Sequence, residues 1–372
     1  MDEKKIVKVF IRPVNHCNFM CKHCFVDKEL LKKEELSLVD TKKFLELLAI
    51  KFSSVYVRFH GGEPTLVGKA FYKEVFEYQS LLSKKYGSVF FNTIQTNGYF
   101  LDEEYIKIFI DGNCSIGISY DGNHNDVLRP YSEEVFNRIC LLKKSNARFS
   151  AICVETQKTI NNVFDTYEWF KSKHIHFKFH PVLPRGFAKY DSSLVLDIDN
   201  YVSKITELYK IWLMDKDCDI RVSTFEEFVR IKQGKMFKKI WFERNRFSLN
   251  SDGKLYVYGY PNEKKYSLGC INQLSSLEDI FLLPNYKKLQ FDIESLMLKK
   301  CNNCSVKDIC RGACICSSFL FDGGEENISY SCNLARRTFE EVLKINEQVE
   351  EDSLLKRIGQ YNKYVRDIYE GL

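Results

Sequence analysis

Three cysteines near the start of the chain have the spacing of ligands to an iron–sulfur cluster. Cys17, Cys21 and Cys24 are spaced CxxxCxxC and directly follow an apolar run. Three thiolates at the end of a predicted strand can ligate three irons of a 4Fe–4S cubane, which leaves the fourth iron without a protein ligand. Such an open iron can bind the amino and carboxylate groups of a small molecule and pass it an electron. Zinc, with His16 or His23 as fourth ligand, is the alternative, because structural zinc fills four closed positions.

The composition is that of an ordinary globular protein. The 372 residues are 45% hydrophobic and 28% charged, and the net charge is +5. This length allows one large core and a smaller second unit, and the small net charge does not indicate a nucleic-acid partner. No apolar stretch reaches membrane length, and the sequence MDEKKIVKVF is not a signal peptide. We therefore expect a cytoplasmic protein with neither nucleic acid nor a membrane as partner.

The high number of cysteines indicates metal binding at a second place in the chain. There are fourteen cysteines, and disulfides are rare in the cytoplasm, where clustered cysteines are more often metal ligands. A second group lies near the C-terminus and consists of Cys301, Cys304, Cys310, Cys314, Cys316 and Cys332. Four thiols from this group can form either a zinc site or an iron–sulfur site.

The first half of the chain alternates short β-rich runs with helical patterns. The predicted strands are Ile6–Ile11, Ser54–Phe59, Val89–Ile94, Ser115–Ser119, Phe149–Val154 and Phe177–Val182. Strand–helix units with continuous apolar strands predict a parallel α/β architecture. Functional groups then belong at the carboxyl ends of the strands, where Cys17 also falls. Further along, Asp252-Gly253 between two β-rich runs predicts a β-hairpin.

Polar and glycine-containing segments follow several of these strands. The segments are His60-Gly61-Gly62-Glu63-Pro64, Gln95-Thr96-Asn97-Gly98, Ser119-Tyr120-Asp121-Gly122 with Arg129 shortly after, and Pro181-Val182-Leu183-Pro184. Glycines allow close backbone approach to a ligand, and Glu63 can pair with an ammonium group. Arg129 can bind a carboxylate through two hydrogen bonds, while Ser119 and Asn97 offer neutral ones. Together these groups suit an amino-acid nucleoside better than a phosphate.

On these motifs the chain resembles a radical S-adenosylmethionine (SAM) enzyme with a C-terminal SPASM/Twitch-type iron–sulfur domain. It looks like a peptide maturase and is similar, in the barrel, to anaerobic sulfatase-maturing enzymes. CxxxCxxC, Gly-Gly-Glu-Pro, Gln-Thr-Asn-Gly and Gly-Ile-Ser-Tyr-Asp-Gly occur in family order, and the resemblance spans about residues 6–335. It implies a partial (β/α)6 TIM-type barrel and a small cysteine-rich domain. The implied domains are residues 1–195 (barrel), 196–245 (helical bridge), 246–340 (SPASM/Twitch domain) and 341–372 (C-terminal helix).

The resemblance also implies the cofactors and the residues that hold them. Such enzymes reduce SAM at the open iron of a 4Fe–4S cluster and release a 5′-deoxyadenosyl radical, which abstracts a substrate hydrogen. The implied cluster ligands are Cys17, Cys21 and Cys24. The implied SAM contacts are His23, Gly61, Gly62, Glu63, Thr96, Asn97, Ser119, Arg129 and Leu183. A flavodoxin or ferredoxin is the implied reductant, and no catalytic acid or base is assigned.

The C-terminal cysteines match only part of the SPASM pattern. The resemblance implies one auxiliary 4Fe–4S cluster, closed by Cys301, Cys304, Cys310 and Cys332. Because four cysteines would ligate all four irons of this cluster, none of its irons is open to a substrate. Such a cluster is suited to electron transfer. A complete SPASM domain has further cysteines before and after the Asp-Gly hairpin, but residues 238–243 contain none and residue 258 is tyrosine. Whether Cys270, Cys314 and Cys316 form a second auxiliary cluster stays open.

Three reactions fit this resemblance. The favoured one is modification of a ribosomally made precursor peptide by a thioether, a carbon–carbon crosslink or epimerisation, and the basic, aromatic segment 230–247 agrees with it. Because Cys17 comes so early, we expect the barrel itself or a separate leader-binding protein to recognise the precursor. The alternatives are a Twitch-type small-molecule dehydrogenase and a formylglycine-forming sulfatase maturase. The last is disfavoured because Tyr258-Gly259 stands where such maturases carry Cys-Asp.

The first prediction concerns iron. We expect the anaerobically reconstituted protein to bind about eight irons, four per cluster, and the Cys17→Ala/Cys21→Ala/Cys24→Ala variant to retain about four. Iron analysis of both proteins is the measurement. About twelve irons would reveal a second auxiliary cluster, and zinc without iron would contradict both cluster assignments.

Overall fold

The computed structural model describes residues 6–26, 33–232, 246–257, 267–310, 325–350 and 357. The chain divides into two compact units, each built from several segments. Unit 1 comprises residues 1–119, 129–149 and 242–295, and unit 2 comprises residues 120–128, 150–241 and 296–372. The domain boundaries inferred from the sequence stay a prediction.

Strands and helices alternate as the sequence predicts. The strands are β1 (Ile6–Ile11), β2 (Ser54–Phe59), β3 (Val89–Thr96), β4 (Cys114–Ser119), β5 (Phe149–Glu155), β6 (Phe177–Pro181), β7 (Arg246–Leu249), β8 (Lys254–Val257) and β9 (Ser267–Cys270). The helices are α1 (Leu38–Lys51), α2 (Lys69–Tyr86), α3 (Glu103–Asp111), α4 (Asn125–Leu128), α5 (Ser132–Lys144), α6 (Val163–Ser172), α7 (Ile198–Met214), α8 (Ser223–Lys232), α9 (Glu278–Leu282), α10 (Pro284–Cys301), α11 (Lys307–Cys310) and α12 (Glu325–Gln348).

Unit 1 is organised by a sheet with strand order β4-β3-β2-β1-β7-β8-β9. The strands from β4 to β7 pair in parallel, and β8 and β9 are antiparallel to their neighbours. Val7, Val9 and Ile11 of the central strand β1 are buried, as expected for a strand in the middle of a covered parallel sheet. The predicted parallel α/β class is confirmed. The carboxyl ends of the parallel strands, from β4 to β7 in the sheet order, lie along one edge of the sheet.

The predicted hairpin joins β7 to β8 at that same edge. Asn250 N donates to Lys254 O at 3.0 Å, and Gly253 N donates to Asn250 O at 2.9 Å. Gly253 has a φ of +71°, a left-handed conformation in which glycine is favoured because it has no Cβ. The hairpin thus follows from its Asp-Gly sequence. Residues 233–245 of the basic segment before it, and Tyr258 and Gly259 after it, lie outside the described residues.

Unit 2 pairs β5 with β6 in parallel and packs α7 and α8 against α12. Its core is aromatic: Phe170 and Phe177 stack with ring centroids 4.2 Å apart. Helix α12 spans Glu325–Gln348, and residues 351–356 and 358–372 lie outside the described part. Within the described ranges, none of the helices is both long and apolar enough to cross a bilayer.

Glu155 at the end of β5 predicts how stability depends on pH. The side chain is 1% exposed, and burial raises its pKa to about 7, although hydrogen bonds from Thr159 and Cys153 oppose the shift. Because the folded pKa exceeds the unfolded one, this group favours the folded state below about pH 4.5, and that contribution is lost as the pH rises toward 7.

We therefore compare the unfolding free energies of wild type and Glu155→Gln at pH 5 and pH 8. Between these pH values, we expect the free energy of wild type to fall by about 2–3 kcal/mol more than that of the variant. Anaerobic urea unfolding at both pH values measures the difference. Glu168→Gln, at an exposed position of α6, is the matched control and is expected to show no such dependence. A constant difference between wild type and Glu155→Gln would contradict the burial argument.

Candidate cluster and cofactor site

The three N-terminal cysteines lie in the loop that follows β1, at the carboxyl edge of the sheet. Burial raises the pKa of the Cys17 thiol to about 12, and the nearby Glu63, Cys21 and Cys24 add to this, while a hydrogen bond from Phe19 N opposes it. That hydrogen bond is 3.3 Å long. The thiols of Cys21 and Cys24 therefore lie within electrostatic range of the Cys17 thiol. Three clustered thiols are the donor set that a 4Fe–4S cluster with an open iron requires.

Two glycines follow β2 in residues 60–64, which we call the β2 loop. They allow the β2 loop to approach the cysteine loop, residues 12–26 after β1, closely. Gly62 N donates to Val14 O at 3.2 Å, and Glu63 N donates to His16 O at 2.9 Å. A Cβ on Gly62 would lie 2.0 Å from His16 O, and one on Gly61 would lie 2.2 Å from Val14 O. No side chain fits at either place, so Gly61-Gly62 lets the backbone of the β2 loop hold the cysteine loop directly.

The Glu63 carboxylate joins the β2 loop to the end of β3. Oε1 accepts hydrogen bonds from Thr65 N (3.0 Å), Thr65 Oγ1 (2.5 Å) and Thr96 Oγ1 (2.7 Å). Oε2 accepts one from Asn97 N at 2.7 Å. The side chain is 0% exposed, and burial raises its pKa while these donors oppose the shift. The geometry supports a positioning role for Glu63, and its direct contact with a SAM ammonium stays a prediction.

Asn97 extends this connection to the cluster loop. Its Nδ2 donates to Asn18 Oδ1 at 2.9 Å and lies 3.8 Å from Cys17 Sγ. At the end of the next strand, Gln95 Nε2 donates to Ser119 Oγ at 2.9 Å. The predicted residues on β2, β3 and β4 therefore lie on neighbouring strand ends, as their place in the sequence suggested.

His23 provides a neutral, buried ring beside the cysteines. Burial, with a smaller contribution from Arg129, lowers the pKa of His23 well below its usual value, so the ring is uncharged at neutral pH. His23 Nδ1, His16 Nδ1 and Asn15 Oδ1 are buried atoms with no hydrogen-bond partner among the described residues. Buried polar atoms are normally hydrogen-bonded. These atoms fit a polar cofactor such as SAM.

An aromatic group covers one side of the cysteine loop. Phe19, between Cys17 and Cys21, lies 5.8 Å from Tyr99 and 5.3 Å from Tyr131 between ring centroids. Tyr131 precedes α5 with a φ of +60°, an uncommon conformation for a residue with a Cβ. Phe19 is 5% exposed, so these rings keep water from that face of the loop.

The C-terminal cysteines converge within unit 2. Cys301 ends α10, Cys310 ends α11 and Cys332 lies in α12. Burial raises the pKa of the Cys301 thiol to about 11, and the nearby Cys332, Cys310 and Cys304 add to the increase. The other three thiols predicted for the auxiliary cluster therefore lie within electrostatic range of Cys301. Three different helices supply three of the four thiols, which local sequence alone could not establish.

The remaining predicted residues are Leu183, Cys270, Cys314 and Cys316. Leu183 follows β6 in unit 2 and is half-buried. Cys270 ends β9 in unit 1, whereas Cys314 and Cys316 lie outside the described residues. Within the described ranges, no three His, Cys, Asp or Glu side chains are arranged to hold a single metal ion. A cubane differs from that case because each thiolate binds a separate iron.

Sequence reasoning missed several residues that build the site. Arg12 and Thr65 lie outside the motifs that were singled out, and Asn18 occupies one of the unspecified positions of CxxxCxxC. Arg12 directly follows β1 and is 1% exposed. A charged residue at the carboxyl end of a buried strand is the signal that could have identified it.

Comparisons with known proteins agree with this geometry. The Radical SAM superfamily profile matches residues 11–186. The cysteine-type anaerobic sulfatase-maturating enzyme of Clostridium novyi is 26% identical over 338 residues, which cover 83% of this chain and 88% of that enzyme.

Two solved structures share the fold. Native anSMEcpe with bound AdoMet and Cp18Cys peptide has a TM-score of 0.74 at 22% identity, covering 93% of this chain and 100% of that chain. Streptococcus suis SuiB bound to precursor peptide SuiA has a TM-score of 0.56 at 12% identity, covering 77% of this chain and 67% of that chain.

This chain carries a radical SAM domain. It is homologous to anaerobic sulfatase-maturating enzymes, and its fold is that of anSMEcpe and SuiB. The resemblance inferred from the motifs is confirmed, as is the fold class. The predicted cofactor classes, SAM and 4Fe–4S clusters, are confirmed at the level of the family. The ligand and SAM-contact assignments to individual residues stay proposals.

The next prediction separates the two roles of Glu63. In Glu63→Gln the amide nitrogen cannot accept a hydrogen bond, so at least one buried donor loses its partner. We expect the unfolding free energy to fall by about 1–3 kcal/mol and SAM affinity to fall with it. Urea unfolding and SAM titration of the cluster-loaded protein measure both quantities.

Glu77→Gln, at an exposed position of α2, is the control and should change neither quantity. Weaker SAM binding with unchanged stability would instead establish the direct ammonium contact. No change in either quantity would remove Glu63 from the site.

Proposed function

We propose that this protein is a radical SAM peptide maturase. It would abstract a hydrogen atom from a residue of a ribosomally made peptide, leading to a thioether, a carbon–carbon crosslink or an epimerised residue. The observation that carries the radical part is the cysteine loop held by Gly62, Glu63 and Asn97 at one sheet edge. The peptide part is supported by the similar folds of anSMEcpe and SuiB, both of which have structures with peptides bound.

The residues of this chain have distinct tasks in that reaction. When bound, the cluster and SAM would supply the radical chemistry. Cys17, Cys21 and Cys24 would hold the cluster. Neutral His23 offers a hydrogen-bonding ring to the adenine end, and Arg129 offers a cation to the carboxylate end. The Phe19, Tyr99 and Tyr131 rings exclude water from one side of the loop.

The auxiliary site would serve electron transfer. Four neighbouring thiols, Cys301, Cys304, Cys310 and Cys332, can close one 4Fe–4S cluster without an open iron. A cluster held by these four thiols would supply electron-transfer chemistry. A flavodoxin or ferredoxin is the proposed external reductant, and a separate leader-binding protein is the proposed aid to precursor recognition.

Formylglycine formation is the second candidate, because the Clostridium novyi relative that covers most of the chain is named a sulfatase-maturating enzyme. The sequence argues against it. Formylglycine formation removes a proton from the substrate thiol or hydroxyl, and Gly259 cannot accept one. Tyr258 is a poor substitute because a phenol has a pKa near 10. We therefore rank peptide modification of another kind first.

Anaerobic turnover with a sulfatase-motif peptide tests this ranking. With dithionite and SAM present, we expect 5′-deoxyadenosine but no aldehyde on either a Cys-type or a Ser-type peptide, as measured by mass spectrometry. The Clostridium novyi relative, run on the same Cys-type peptide, is the positive control for the assay. Conversion of the thiol to the aldehyde by this protein would put sulfatase maturation first.

A positive test uses short peptides encoded beside the gene. We expect one of them to lose two hydrogens or to incorporate deuterium from heavy water, and the triple cysteine variant at residues 17, 21 and 24 to leave it unchanged. Turnover of a small molecule with no neighbouring peptide modified would contradict the proposal.

A further inference from the structure

The side-chain amide of Asn97 lies against the sulfur of Cys17. Asn97 Nδ2 is 3.8 Å from Cys17 Sγ, and Asn97 is only 7% exposed. The same nitrogen donates to Asn18 Oδ1 at 2.9 Å. A side-chain amide carries two N–H donors, so one can serve the sulfur of Cys17 while the other binds the next residue of the cysteine loop.

Hydrogen bonds on both sides fix the orientation of this amide. Tyr99 N donates to Asn97 Oδ1 at 3.0 Å. Because a backbone N–H can only donate, the amide oxygen must face Tyr99 and the amide nitrogen must face the cysteine loop. The backbone of Asn97 is held as well, since its N donates to the buried Glu63 Oε2 at 2.7 Å. The protein itself therefore directs the amide nitrogen toward Cys17.

A second donor reaches the same sulfur. Phe19 N donates to Cys17 Sγ at 3.3 Å, and the free thiol of Cys17 can direct its own proton toward Asn18 Oδ1, 4.0 Å away. A cysteine that ligates iron has lost that proton and can only accept hydrogen bonds. The N–H groups of Phe19 and Asn97 then converge on a thiolate, and hydrogen bonds to a charged acceptor are stronger than those to a neutral one.

Hydrogen bonds to the sulfurs of an iron–sulfur cluster are among the factors that set its reduction potential. One-electron reduction adds negative charge, so an N–H donor at a ligating sulfur stabilises the reduced form more than the oxidised form. The Phe19 N–H belongs to the backbone and does not depend on the side chain at that position. The Asn97 amide is a side-chain donor, so the residue type at position 97 can change the potential.

We propose that Asn97 is a positioning residue that donates an N–H···S hydrogen bond to the thiolate of Cys17 and thereby raises the reduction potential of the N-terminal cluster. This inference rests on the proposed ligation by Cys17, Cys21 and Cys24, which iron analysis of the triple variant tests separately. It does not depend on the substrate, because its readout needs no turnover. The contact of Asn97 with SAM is a separate prediction, and the test is therefore made without SAM.

The test is a redox titration of the full-length, anaerobically reconstituted protein, followed by electron paramagnetic resonance. A parallel sample with SAM identifies the signal of the cluster with the open iron. Asn97→Leu has nearly the shape of asparagine but no donor. We expect its reduction equilibrium constant to fall about fivefold, which equals about 40 mV toward more negative potential, since a tenfold change is about 59 mV for a one-electron couple. Asn97→Asp keeps the acceptor for Tyr99 N but turns a carboxylate toward Cys17, and its potential should fall at least as far.

Asn18→Ala is the matched control, because it removes the other partner of Asn97 Nδ2 and leaves the donor to Cys17 in place. Its reduction equilibrium constant should stay within about twofold of wild type. An unchanged potential in a fully loaded Asn97→Leu protein would overturn the proposal. Equal shifts in Asn97→Leu and Asn18→Ala would also overturn it, since the packing of the loop rather than the hydrogen bond would then be responsible.

A measurement on wild type keeps the proposal testable if the Asn97 variants do not assemble the cluster. Wild type is labelled with ¹⁵N only at the side-chain amides of asparagine and is reduced without SAM. We expect electron–nuclear double resonance to detect coupling from a labelled nitrogen to the N-terminal cluster. The coupling should be kept in Asn15→Ala and Asn18→Ala, which remove the two asparagines of the cysteine loop. Its absence from wild type, or its loss in either of these variants, would overturn the proposal.

Discussion

The buried carboxylate of Glu63 is the interaction on which the N-terminal site depends. It has no exposed surface and accepts four hydrogen bonds from Thr65, Thr96 and the backbone of Asn97. A buried carboxylate without such donors would be costly, so the β2 loop and the end of β3 must stay together. Asn97 then reaches Cys17, and Gly61-Gly62 holds the backbone of the cysteine loop. One side chain thereby aligns the segments that carry the proposed cluster ligands and SAM contacts.

This arrangement explains what the chain shares with sulfatase-maturating enzymes and where it departs from them. The shared part is the cysteine loop with the adjoining strand ends, where the proposed cluster and SAM would bind. The departure lies after the Asp-Gly hairpin, where Tyr258-Gly259 replaces the cysteine and the proton acceptor expected for formylglycine formation. A similar cysteine loop followed by a different sequence after the hairpin agrees with the proposal that this protein modifies a peptide in another way.

The sequence predicted the fold well because short apolar runs and helical periodicity are local signals. The bounds of β1 and β2 match the predicted ones, and the Asp-Gly hairpin lies where its turn residues placed it. Glycine motifs also located the β2 and β3 loops correctly. The direction of the Glu63 carboxylate was not predictable, because it depends on donors thirty-odd residues away in sequence (Thr96 and Asn97). The convergence of Cys301, Cys310 and Cys332 likewise depends on the packing of separate helices.

The central claim is that SAM binds the open iron of a cluster held by Cys17, Cys21 and Cys24. Electron–nuclear double resonance on the reduced protein with SAM labelled at the methionyl amine nitrogen and carboxylate oxygen tests it directly. We predict hyperfine coupling from both labelled groups to the cluster. The coupling should be lost in the triple cysteine variant and kept in a variant of Cys301, Cys304, Cys310 and Cys332. A fully reduced cluster that shows no coupling to either label would contradict the account.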